Sequence, residues 1–358
     1  MNFEPMGIVI LCVFLVLHLI FWLAFSILLV PDQHMKKTFT PPVSIIVAVK
    51  NEEANIGLLI DFLKNQDYPD YEIIIVDDYS TDRTLQLLKA MNGIRILQPP
   101  NDLPGKKLAL NTGIQAAHWD YIVLTDGDCY SSSTRWLENM VSPMDTFDVV
   151  LAYAPLQSDG RFAGNFAEYE TWITGMMYLS AARAGYPYMG VGRNIAFTKK
   201  RFFDVGGYTH QMEYPSGDDD LLVQAMANGE NTAGVLSPEV HVYSSAPSDW
   251  TSFFKQKRRH ISSSFRYKTS HQIILTMFSA SHILFYTLLL TFILQGNIFL
   301  LGLWVVKIAI QAGCSWKVSR YWNEMRNWRR IIIFDILFYM YYLIMIFKLW
   351  TRKSTTWN

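Results

Sequence analysis

Acidic side chains follow two apolar, β-branched segments of the chain, at positions where strands of a sheet would end. Asp77 and Asp78 follow one such segment, and Asp126 and Asp128 follow another. Carboxylates two residues apart after a strand can reach one hard cation, and their oxygens are the ligands that Mg²⁺ or Mn²⁺ prefers. Gly127 between them permits a tight turn. The spacing therefore indicates a divalent metal ion that bridges phosphate groups.

A basic loop, Gly105-Lys106-Lys107, lies between these acidic positions in the sequence. A single pair of carboxylates two residues apart is more typical of a solvated turn. Two acidic strand ends with a lysine pair between them fit a phosphate-bearing substrate better than unrelated turns do. The chain has neither a GxxxxGK[ST] phosphate loop nor a GxGxxG turn that opens a helix after the first strand. An ATPase or a dinucleotide-dependent oxidoreductase therefore lacks its main support.

Alternating strand and helix patterns must position these residues. The predicted strands are Val43–Val49, Glu72–Val76, Ile94–Leu97 and Tyr121–Leu124, and the predicted helices between them are Asn55–Asn65 and Thr81–Met91. This alternation predicts an α/β domain with a mostly parallel sheet and helices on both faces. Ligands of such sheets bind beyond the carboxyl ends of the strands, which is where the acidic residues lie.

The charge of the chain is divided between a middle and a C-terminal part. The 31 Lys and Arg residues balance the 31 Asp and Glu residues, and 51% of all residues are hydrophobic. Residues 31–250 nevertheless hold 28 acidic against 16 basic residues, whereas residues 251–358 hold 15 basic against two acidic ones. This composition argues against a disordered chain and a basic nucleic-acid-binding domain. The three cysteines lie far apart, so we expect neither disulfides nor a structural zinc site.

Long apolar segments at both ends of the chain predict membrane helices. Met6–Val30 has no charged residue, is long enough to cross a bilayer and lacks the features of a cleaved signal peptide. Ile273–Leu294 is a second uncharged segment of sufficient length. Ile298–Ile310 and Ile331–Phe347 are shorter and contain one charged residue each. The C-terminal region therefore has two or three spans.

Lysines and arginines beside these segments predict the orientation. Lys36 and Lys37 follow the first span, and six cations from Lys255 to Lys268 precede the second. By the positive-inside rule, both flanks of the middle domain lie in the cytoplasm. Three C-terminal spans would place Lys348 and the cations after it outside, against that rule. Two spans with a re-entrant piece would keep them inside.

Several motifs together resemble those of family 2 glycosyltransferases. In order they are VSIIVAVKNE (43–52), VDDYSTDRT (76–84), the 105–111 loop, TDGD (125–128), GVGRNIAF (190–197), VGGY (205–208), GDDDL (217–221) and QKRRH (256–260). The flanking apolar segments resemble the membrane-integrated branch of this family, which includes ceramide glucosyltransferases and polysaccharide synthases. The resemblance implies a GT-A fold, the Rossmann-like fold of nucleotide-diphospho-sugar transferases, with flanking transmembrane helices.

The resemblance also implies roles for individual residues. The residues expected to line the donor site are Ala48, Lys50, Asn51, Glu52, Asp77, Asp78, Lys106, Lys107, Asp126, Asp128, Gln256, Arg259 and His260. Asp78 would accept a hydrogen bond from the nucleotide base, and Asp77 would shape the turn. Asp126 and Asp128 would hold Mg²⁺ or Mn²⁺, which neutralises the departing nucleoside diphosphate. Lys106 would approach the diphosphate or the donor sugar.

A carboxylate is expected to deprotonate the acceptor hydroxyl. Asp219, in the run Gly217-Asp218-Asp219-Asp220, aligns with the family residue that has this role, and Asp218 is the alternative. Like-charge repulsion between adjacent acids raises their proton affinity, which suits a base. The same residues also fit an acidic helix N-terminus, and both roles can hold at once.

The last motif departs from the QxxRW pattern of the family, because His260 stands where Trp is expected. Arg259 would still pair with diphosphate oxygens. In polymer-forming members the Trp contributes to the acceptor site, so its absence argues against long-chain synthesis. A basic segment of this kind can also bind anionic lipid by charge alone.

These features predict a metal-dependent inverting glycosyltransferase of the hexosyltransferase type. It would move a sugar from a nucleotide-diphosphate sugar, a UDP-sugar foremost, to a lipid or lipid-linked acceptor. A processive polysaccharide synthase is the alternative, and an inactive membrane scaffold is a third class. We expect an integral membrane protein with a cytoplasmic catalytic domain, at the inner membrane if the source is bacterial, and no nucleic-acid partner.

The predicted domains are 1–30, a transmembrane helix; 31–250, the GT-A domain; 251–271, an amphipathic interfacial segment; and 272–358, a membrane region.

Overall fold

The computed structural model describes residues 4–30, 39–100, 105–214 and 216–350. These residues form two compact units. One unit holds the N-terminal helix α1 (Glu4–Leu28) together with the chain from Phe254 onward, and the other ends at Phe253. The division falls inside the segment 251–271, for which we predict an interfacial position.

The unit that ends at Phe253 is an α/β domain with one seven-stranded sheet. The strands are β1 (Val43–Val49), β2 (Tyr71–Asp77), β3 (Arg95–Leu97), β4 (Tyr121–Asp126), β5 (Val149–Ala152), β6 (Leu156–Gln157), β7 (Ile195–Thr198), β8 (Thr232–Val235) and β9 (Ser244–Ser245). The order in the large sheet is β3-β2-β1-β4-β7-β5-β8, while β6 and β9 pair separately. Strands β1 to β4 run parallel, and β7 runs antiparallel to both of its neighbours.

Among the described residues, seven α-helices lie between these strands, and an eighth follows them. They are α2 (Ile56–Lys64), α3 (Thr84–Lys89), α4 (Lys106–Ala116), α5 (Trp136–Val141), α6 (Phe162–Arg183), α7 (Lys199–Asp204), α8 (Asp220–Met226) and α9 (Trp250–Ser264). The predicted first four strands and first two helices are therefore present. Asn55 and Asn65, predicted as the ends of a helix, are the residues that flank α2.

The core of this domain follows from strands that are buried on both faces. In β1 every residue is buried except Ala48, as expected where helices cover both sides of a parallel sheet. Trp136 of α5 packs against Phe62 of α2 with ring centroids 4.9 Å apart, and its Nε1 donates to Asn194 Oδ1 at 2.9 Å. Burying each large apolar side chain contributes about 1.5–3 kcal/mol. The sheet is thus a rigid support for the loops at its carboxyl edge.

The other unit consists mainly of long apolar helices. Besides α1 they are α10 (Thr269–Leu294), α11 (Leu301–Tyr321, after a 3-10 turn at Ile298–Leu300) and α13 (Ile331–Trp350), with the short α12 (Met325–Arg329) before the last. Four helices among the described residues are long and apolar enough to cross a membrane. The predicted Ile298–Ile310 segment is longer than expected, because the helix continues to Tyr321. All three C-terminal segments therefore have sufficient length.

Each of these helices buries one face and exposes another. On α1, Leu11 and Leu15 pack with Phe285 and Leu289 of α10. Large apolar side chains three or four residues apart point outward from the same helix, namely Val9, Val13, Val16 and Ile20. An apolar outer face of this kind is suited to contact with lipid.

Candidate active site

The loops after β1 and β2 are joined by polar contacts. Asn51 has a positive φ of 57°, which Asn tolerates better than most residues, and its Oδ1 accepts a hydrogen bond from the Thr81 N–H at 2.7 Å. The N–H of Glu52 donates to Thr84 Oγ1 at 2.8 Å. Ala48, the partly exposed residue of β1, lies just before this junction. The predicted donor residues of the first motif are therefore at the carboxyl edge of the sheet.

Two buried carboxylates end β2. Asp77 Oδ2 accepts a hydrogen bond from Gln98 Nε2 at 3.0 Å, which fits a role in shaping the turn. Asp78 Oδ1 accepts the N–H of Gly105 at 2.7 Å, and its Oδ2 lies 3.5 Å from Lys50 Nζ. Burial raises the pKa of Asp78 in spite of these partners. Asp78 thus connects the ends of two strands with the residue before α4.

Three carboxylates, those of Asp126, Asp128 and Glu52, lie near the end of β4. A Cβ atom added to Gly127 would lie 3.0 Å from Glu52 Cγ, so a larger residue would require the Glu52 side chain to shift. Burial and the charge of Asp126 raise the pKa of Asp128. Burial also raises the pKa of Glu52, although Asn55 donates a hydrogen bond to it. Burial is the main cause of both raised pKa values, and the negative charges of neighbouring carboxylates add to it. The oxygens of Asp126 and Asp128 therefore fit a hard divalent cation.

Lys106 links these carboxylates with the acidic motif before α8. Its Nζ lies 3.0 Å from Asp126 Oδ1 and 2.8 Å from Asp218 Oδ2. Burial alone would lower the pKa of Lys106, but the carboxylates of Asp126, Asp218 and Asp219 raise it well above its usual value. The ammonium group is thus charged and joins the carboxylate at the end of β4 to the acidic motif before α8.

Lys107 binds backbone carbonyls of a distant part of the chain. Its buried Nζ donates to the backbone carbonyls of Gln211 at 2.6 Å, Tyr214 at 2.9 Å and Ser216 at 2.7 Å. Successive residues of a helix point about 100° apart, so Lys106 and Lys107 face different sides of α4. Lys107 therefore supports the backbone at Gln211, Tyr214 and Ser216, and its contact with a donor stays a prediction.

Asp219 lies just before α8 and caps it. Its Oδ1 accepts the N–H of Asp220 at 2.8 Å, and its Oδ2 accepts the N–H of Gly192 at 3.1 Å. Burial, followed by the charges of Asp218 and Asp220, raises the pKa of Asp219 to about 7. Asp218 is instead paired with Lys106. Of the two predicted bases, Asp219 thus has the proton affinity that general base catalysis near neutral pH requires.

Arg193 is a cation beside the site that the sequence motifs do not single out. Its Nη2 donates to the carbonyl of Ala154 at 3.0 Å, and its Nη1 donates to Ser244 Oγ. Its charge lowers the pKa of Asp128 and so opposes the effect of burial. The only sequence signal was its place within GVGRNIAF, because its partners come from distant parts of the chain.

The basic motif lies on α9, after the boundary at Phe253. Gln256 and Arg259 are half-buried there, and His260 is exposed. The contact of these three residues with a donor stays a prediction. At the beginning of α9, Trp250 packs against Phe166 of α6 with ring centroids 5.6 Å apart.

The motifs and this arrangement have a counterpart among known families. Residues 133–351 match the Glycosyl transferase family group 2, and residues 44–203 match Glycosyl transferase family 2. The chain belongs to the family 2 glycosyltransferases. The matched ranges together include the acidic strand ends, the lysine pair and the Asp218–Asp220 motif.

The curated relatives of this glycosyltransferase are similar over part of their length. Glycosyltransferase AglE of Haloferax volcanii is 29% identical over 185 residues, which cover 48% of this chain and 57% of that protein. Beta-monoglucosyldiacylglycerol synthase of Nostoc sp. is 34% identical over 124 residues, 32% of this chain and 26% of that protein. The Escherichia coli UDP-Glc:alpha-D-GlcNAc-diphosphoundecaprenol beta-1,3-glucosyltransferase WfaP is 33% identical over 113 residues, 31% of this chain and 45% of that protein. The chain thus spans between about a quarter and just over half of the length of these relatives.

A solved structure resembles the glycosyltransferase over nearly its whole length. The mannosyltransferase PcManGT from Pyrobaculum calidifontis, in complex with GDP-Man and Mn²⁺, aligns with a TM-score of 0.60 at 18% identity and covers 94% of this chain and 98% of that chain. At this identity the likeness shows the fold. The predicted α/β GT-A fold with flanking apolar helices is confirmed.

Proposed function

We propose that this glycosyltransferase moves a hexose from a nucleotide-diphosphate sugar to a hydroxyl group of a lipid or lipid-linked acceptor, with inversion at the anomeric carbon. The observation that carries the proposal is the arrangement around Lys106, which joins Asp126 to Asp218, next to Asp219. A cation, a carboxylate pair for a metal and a carboxylate with a pKa near neutrality are the parts that such a transfer needs.

The donor would bind along the carboxyl edge of the sheet. Asp78 and Lys50 would contact the nucleotide, with a UDP-sugar as the first donor to test. Asp126 and Asp128 would hold Mg²⁺ or Mn²⁺, and the Mn²⁺ in the PcManGT complex supports this assignment. A bound ion supplies Lewis-acid stabilisation of the departing nucleoside diphosphate. Lys106 would exchange part of its contact with the carboxylates for the diphosphate oxygens.

The acceptor hydroxyl would lose its proton to Asp219 as its oxygen attacks the anomeric carbon. The new C–O bond forms on the face opposite the bond to the diphosphate, which breaks in the same displacement, so the configuration inverts. The proton on Asp219 then passes to solvent. Asp218 stays paired with Lys106 and takes no proton.

A lipid acceptor at the cytoplasmic membrane face is supported by two observations. The described part of the chain contains four helices long and apolar enough to cross a membrane. Two curated relatives are named for acceptors or products that contain diacylglycerol or diphosphoundecaprenol. The cations that flank the predicted spans support a cytoplasmic position for the catalytic domain.

Donor turnover by the purified full-length protein, with Mg²⁺ or Mn²⁺ present, tests the proposal. We expect Asp219→Asn to lower kcat by about 10²–10⁴-fold with little change in donor binding, since only proton transfer is removed. Asp128→Ala should abolish the stimulation of donor turnover by added Mg²⁺ or Mn²⁺. Asp61→Asn, on the exposed side of α2, is the matched control and should behave like wild type. Full activity of both site variants would show that the site assignment is wrong.

The length of the product separates single transfer from polymerisation. Because His260 stands where polymer-forming relatives have Trp, we expect one sugar per acceptor. Mass spectrometry of the product should show a single added hexose. A ladder of sugars would instead identify a processive polysaccharide synthase.

A further inference from the structure

A cluster of polar side chains is buried among the four long helices, away from the transfer chemistry described above. His18 of α1, His282 of α10, Lys307 and Gln311 of α11 and Asp335 of α13 are each at most 2% exposed. Each long helix therefore contributes to the cluster. Ionisable groups within apolar helices are costly to bury, so they usually have a function and a partner.

Hydrogen bonds determine which ring nitrogens of the two histidines carry protons. Ser281 Oγ donates its one proton to a backbone carbonyl of α10, so it accepts from His18 Nδ1 at 3.2 Å. His18 Nε2 then carries the electron pair of the ring, and this pair accepts from Trp22 Nε1, which can only donate, at 3.1 Å. His282 Nε2 lies 3.1 Å from the backbone oxygen of Asp335 and must donate to it. The neutral ring of His282 therefore has its electron pair on Nδ1.

Three electron-pair donors converge as a result. His282 Nδ1 lies 3.4 Å from His18 Nε2 and 3.9 Å from Asp335 Oδ1. The three potential ligand atoms of these residues all lie within 4.8 Å of one another. Gln311 Nε2 donates to His18 Nε2 at 3.3 Å and to Asp335 Oδ1 at 3.0 Å. The electron pair of His282 Nδ1 thus faces two acceptor atoms, an arrangement that a cation would stabilise.

The second oxygen of Asp335 has its own partners. Lys307 Nζ lies 2.5 Å from Asp335 Oδ2 and also donates to Gln311 Oε1 at 3.0 Å, and the Tyr286 hydroxyl donates to the same carboxylate oxygen. The other carboxylate oxygen, Asp335 Oδ1, faces the imidazole rings and lies 3.9 Å from His282 Nδ1. Two imidazole nitrogens and one carboxylate oxygen are a donor set typical of Zn²⁺ and its neighbours, whereas Mg²⁺ prefers oxygen ligands alone.

We propose that His18 Nε2, His282 Nδ1 and Asp335 Oδ1 bind a divalent transition-metal ion of the Zn²⁺ class within the helix bundle. Two ligands about 2.0–2.1 Å from a tetrahedral ion are about 3.4 Å apart, which matches the two nitrogens. To complete the site, the Asp335 carboxylate oxygen would move closer to both nitrogens, and the ion would take the place of the Trp22 and Gln311 N–H groups at His18 Nε2. The outer N–H groups already donate to Ser281 and to a backbone carbonyl, as metal-binding imidazoles typically do. The ion would join α1, α10 and α13.

Lys307 distinguishes this site from a polar cluster that only holds helices together. Its positive charge competes with a metal ion for the carboxylate of Asp335. Removing the charge in Lys307→Met should therefore strengthen metal binding if the site exists. In a purely structural cluster the same substitution leaves Asp335 buried without its cation, which lowers stability and creates no response to metal.

Metal binding by the full-length protein in detergent tests the proposal. Asp128→Ala serves as the background in which the predicted catalytic ion site is removed, and the protein is stripped with EDTA before Zn²⁺ or Co²⁺ is added. We expect about one ion per chain, a rise of about 5–10 °C in the thermal midpoint at saturating Zn²⁺, and visible Co²⁺ absorption from imidazole ligation. His18→Gln and His282→Gln should lose all three responses, whereas His271→Gln on the same α10 should keep them.

A variant that fails to fold does not leave the question open, because Lys307→Met and the parent protein are measured in parallel. A larger Zn²⁺-induced rise in Lys307→Met than in its parent supports the site. The proposal is overturned if the Asp128→Ala protein binds less than a tenth of an ion per chain and shows no Zn²⁺-dependent rise in thermal midpoint. An equal metal response in the Asp128→Ala protein and in its His282→Gln variant also overturns the proposal.

Discussion

Asp218 and Asp219 are neighbours in the chain but have different partners. Asp218 forms an ion pair with Lys106 at 2.8 Å, whereas Asp219 accepts two backbone N–H groups and lies between two other acids. The carboxylate of Asp218 thus has a cation as its partner. Burial and like charges favour the protonated form of Asp219. Side-chain pairing therefore gives adjacent carboxylates of one motif different chemical roles.

The raised pKa of Asp219 predicts a pH dependence of activity. The base must be ionised to accept a proton, so kcat/KM of the wild-type enzyme should rise as the pH increases through about 7. The Asp219→Asn variant should have a low kcat/KM without this rise. Initial rates between pH 5 and 9 at saturating metal check the prediction, with Asp61→Asn as the control. A rise of equal size and midpoint in Asp219→Asn would assign the titration to another group.

The same shift predicts the sign of a stability effect. Between the ordinary carboxyl pKa near 4 and the native value of about 7, the folded protein binds more protons at Asp219 than the unfolded chain does. The stability contribution of this group is therefore present at low pH and is lost as the pH rises through that window. The difference in thermal midpoint between Asp219→Asn and wild type should move in favour of the variant from pH 5 to pH 8. A constant difference would contradict the assignment.

At the scale of elements, α4 presents two lysines in two directions. Lys106 faces the carboxylates of the site, and Lys107 holds the backbone at Gln211 and Ser216, shortly before Asp218 and Asp219. The first turn of one helix thus positions both a charge in the site and the backbone that carries the base. A change in α4 would therefore alter chemistry and support together.

Substitution of Lys107 predicts a loss of stability. Lys107→Met removes the hydrogen-bond donor of three backbone carbonyls. A hydrogen bond from a charged group contributes about 1.5–3 kcal/mol to the free energy of unfolding. We expect the thermal midpoint in detergent to fall by about 5–10 °C. Lys200→Met, which removes an exposed ion pair with Asp204, is the control and should change the midpoint by less than about 2 °C. Equal midpoints for the two variants would refute the structural role of Lys107.

The sequence predicts those elements whose signals are local. Strands β1, β2 and β4 are continuous β-branched segments, so their positions and the acidic residues after them can be inferred directly. The role of Lys107 cannot be inferred directly, because its partners lie 104 to 109 residues further along the chain. Arg193 is missed for the same reason, since its effect on Asp128 depends on how β4 and β7 pair. Long-range pairing decides which charged residues meet.

At the scale of the whole molecule, the contact between α9 and α13 bears on the membrane orientation of the C-terminus. Lys348 Nζ lies 4.0 Å from the centroid of the Phe254 ring, and Phe254 stacks on Tyr341 with centroids 6.5 Å apart. The cations of α9 predict a cytoplasmic position for that helix. The end of α13 should therefore be cytoplasmic too, which favours a re-entrant α13 over a complete third C-terminal span.

Reporter fusions check this orientation. Green fluorescent protein fused to the C-terminus should fluoresce, and alkaline phosphatase at the same position should be inactive, because the phosphatase is active only outside the cytoplasm. A phosphatase fusion after Gly296, which follows α10, is the control and should be active. The opposite result at the C-terminus would mean that α13 crosses the membrane completely.

Side chains from the two ends of the chain meet in the helix bundle, since His18 and Ser281 are 263 residues apart in sequence. At a translation rate of about 5–20 residues per second, roughly 10–50 s separate the synthesis of these two partners. During that interval α1 is made but His18 lacks its partners Ser281 of α10 and Gln311 of α11, while the whole seven-stranded sheet is completed. The catalytic domain can therefore fold before the membrane bundle exists, and the nascent α1 is the part of the chain that depends on protection by the insertion machinery.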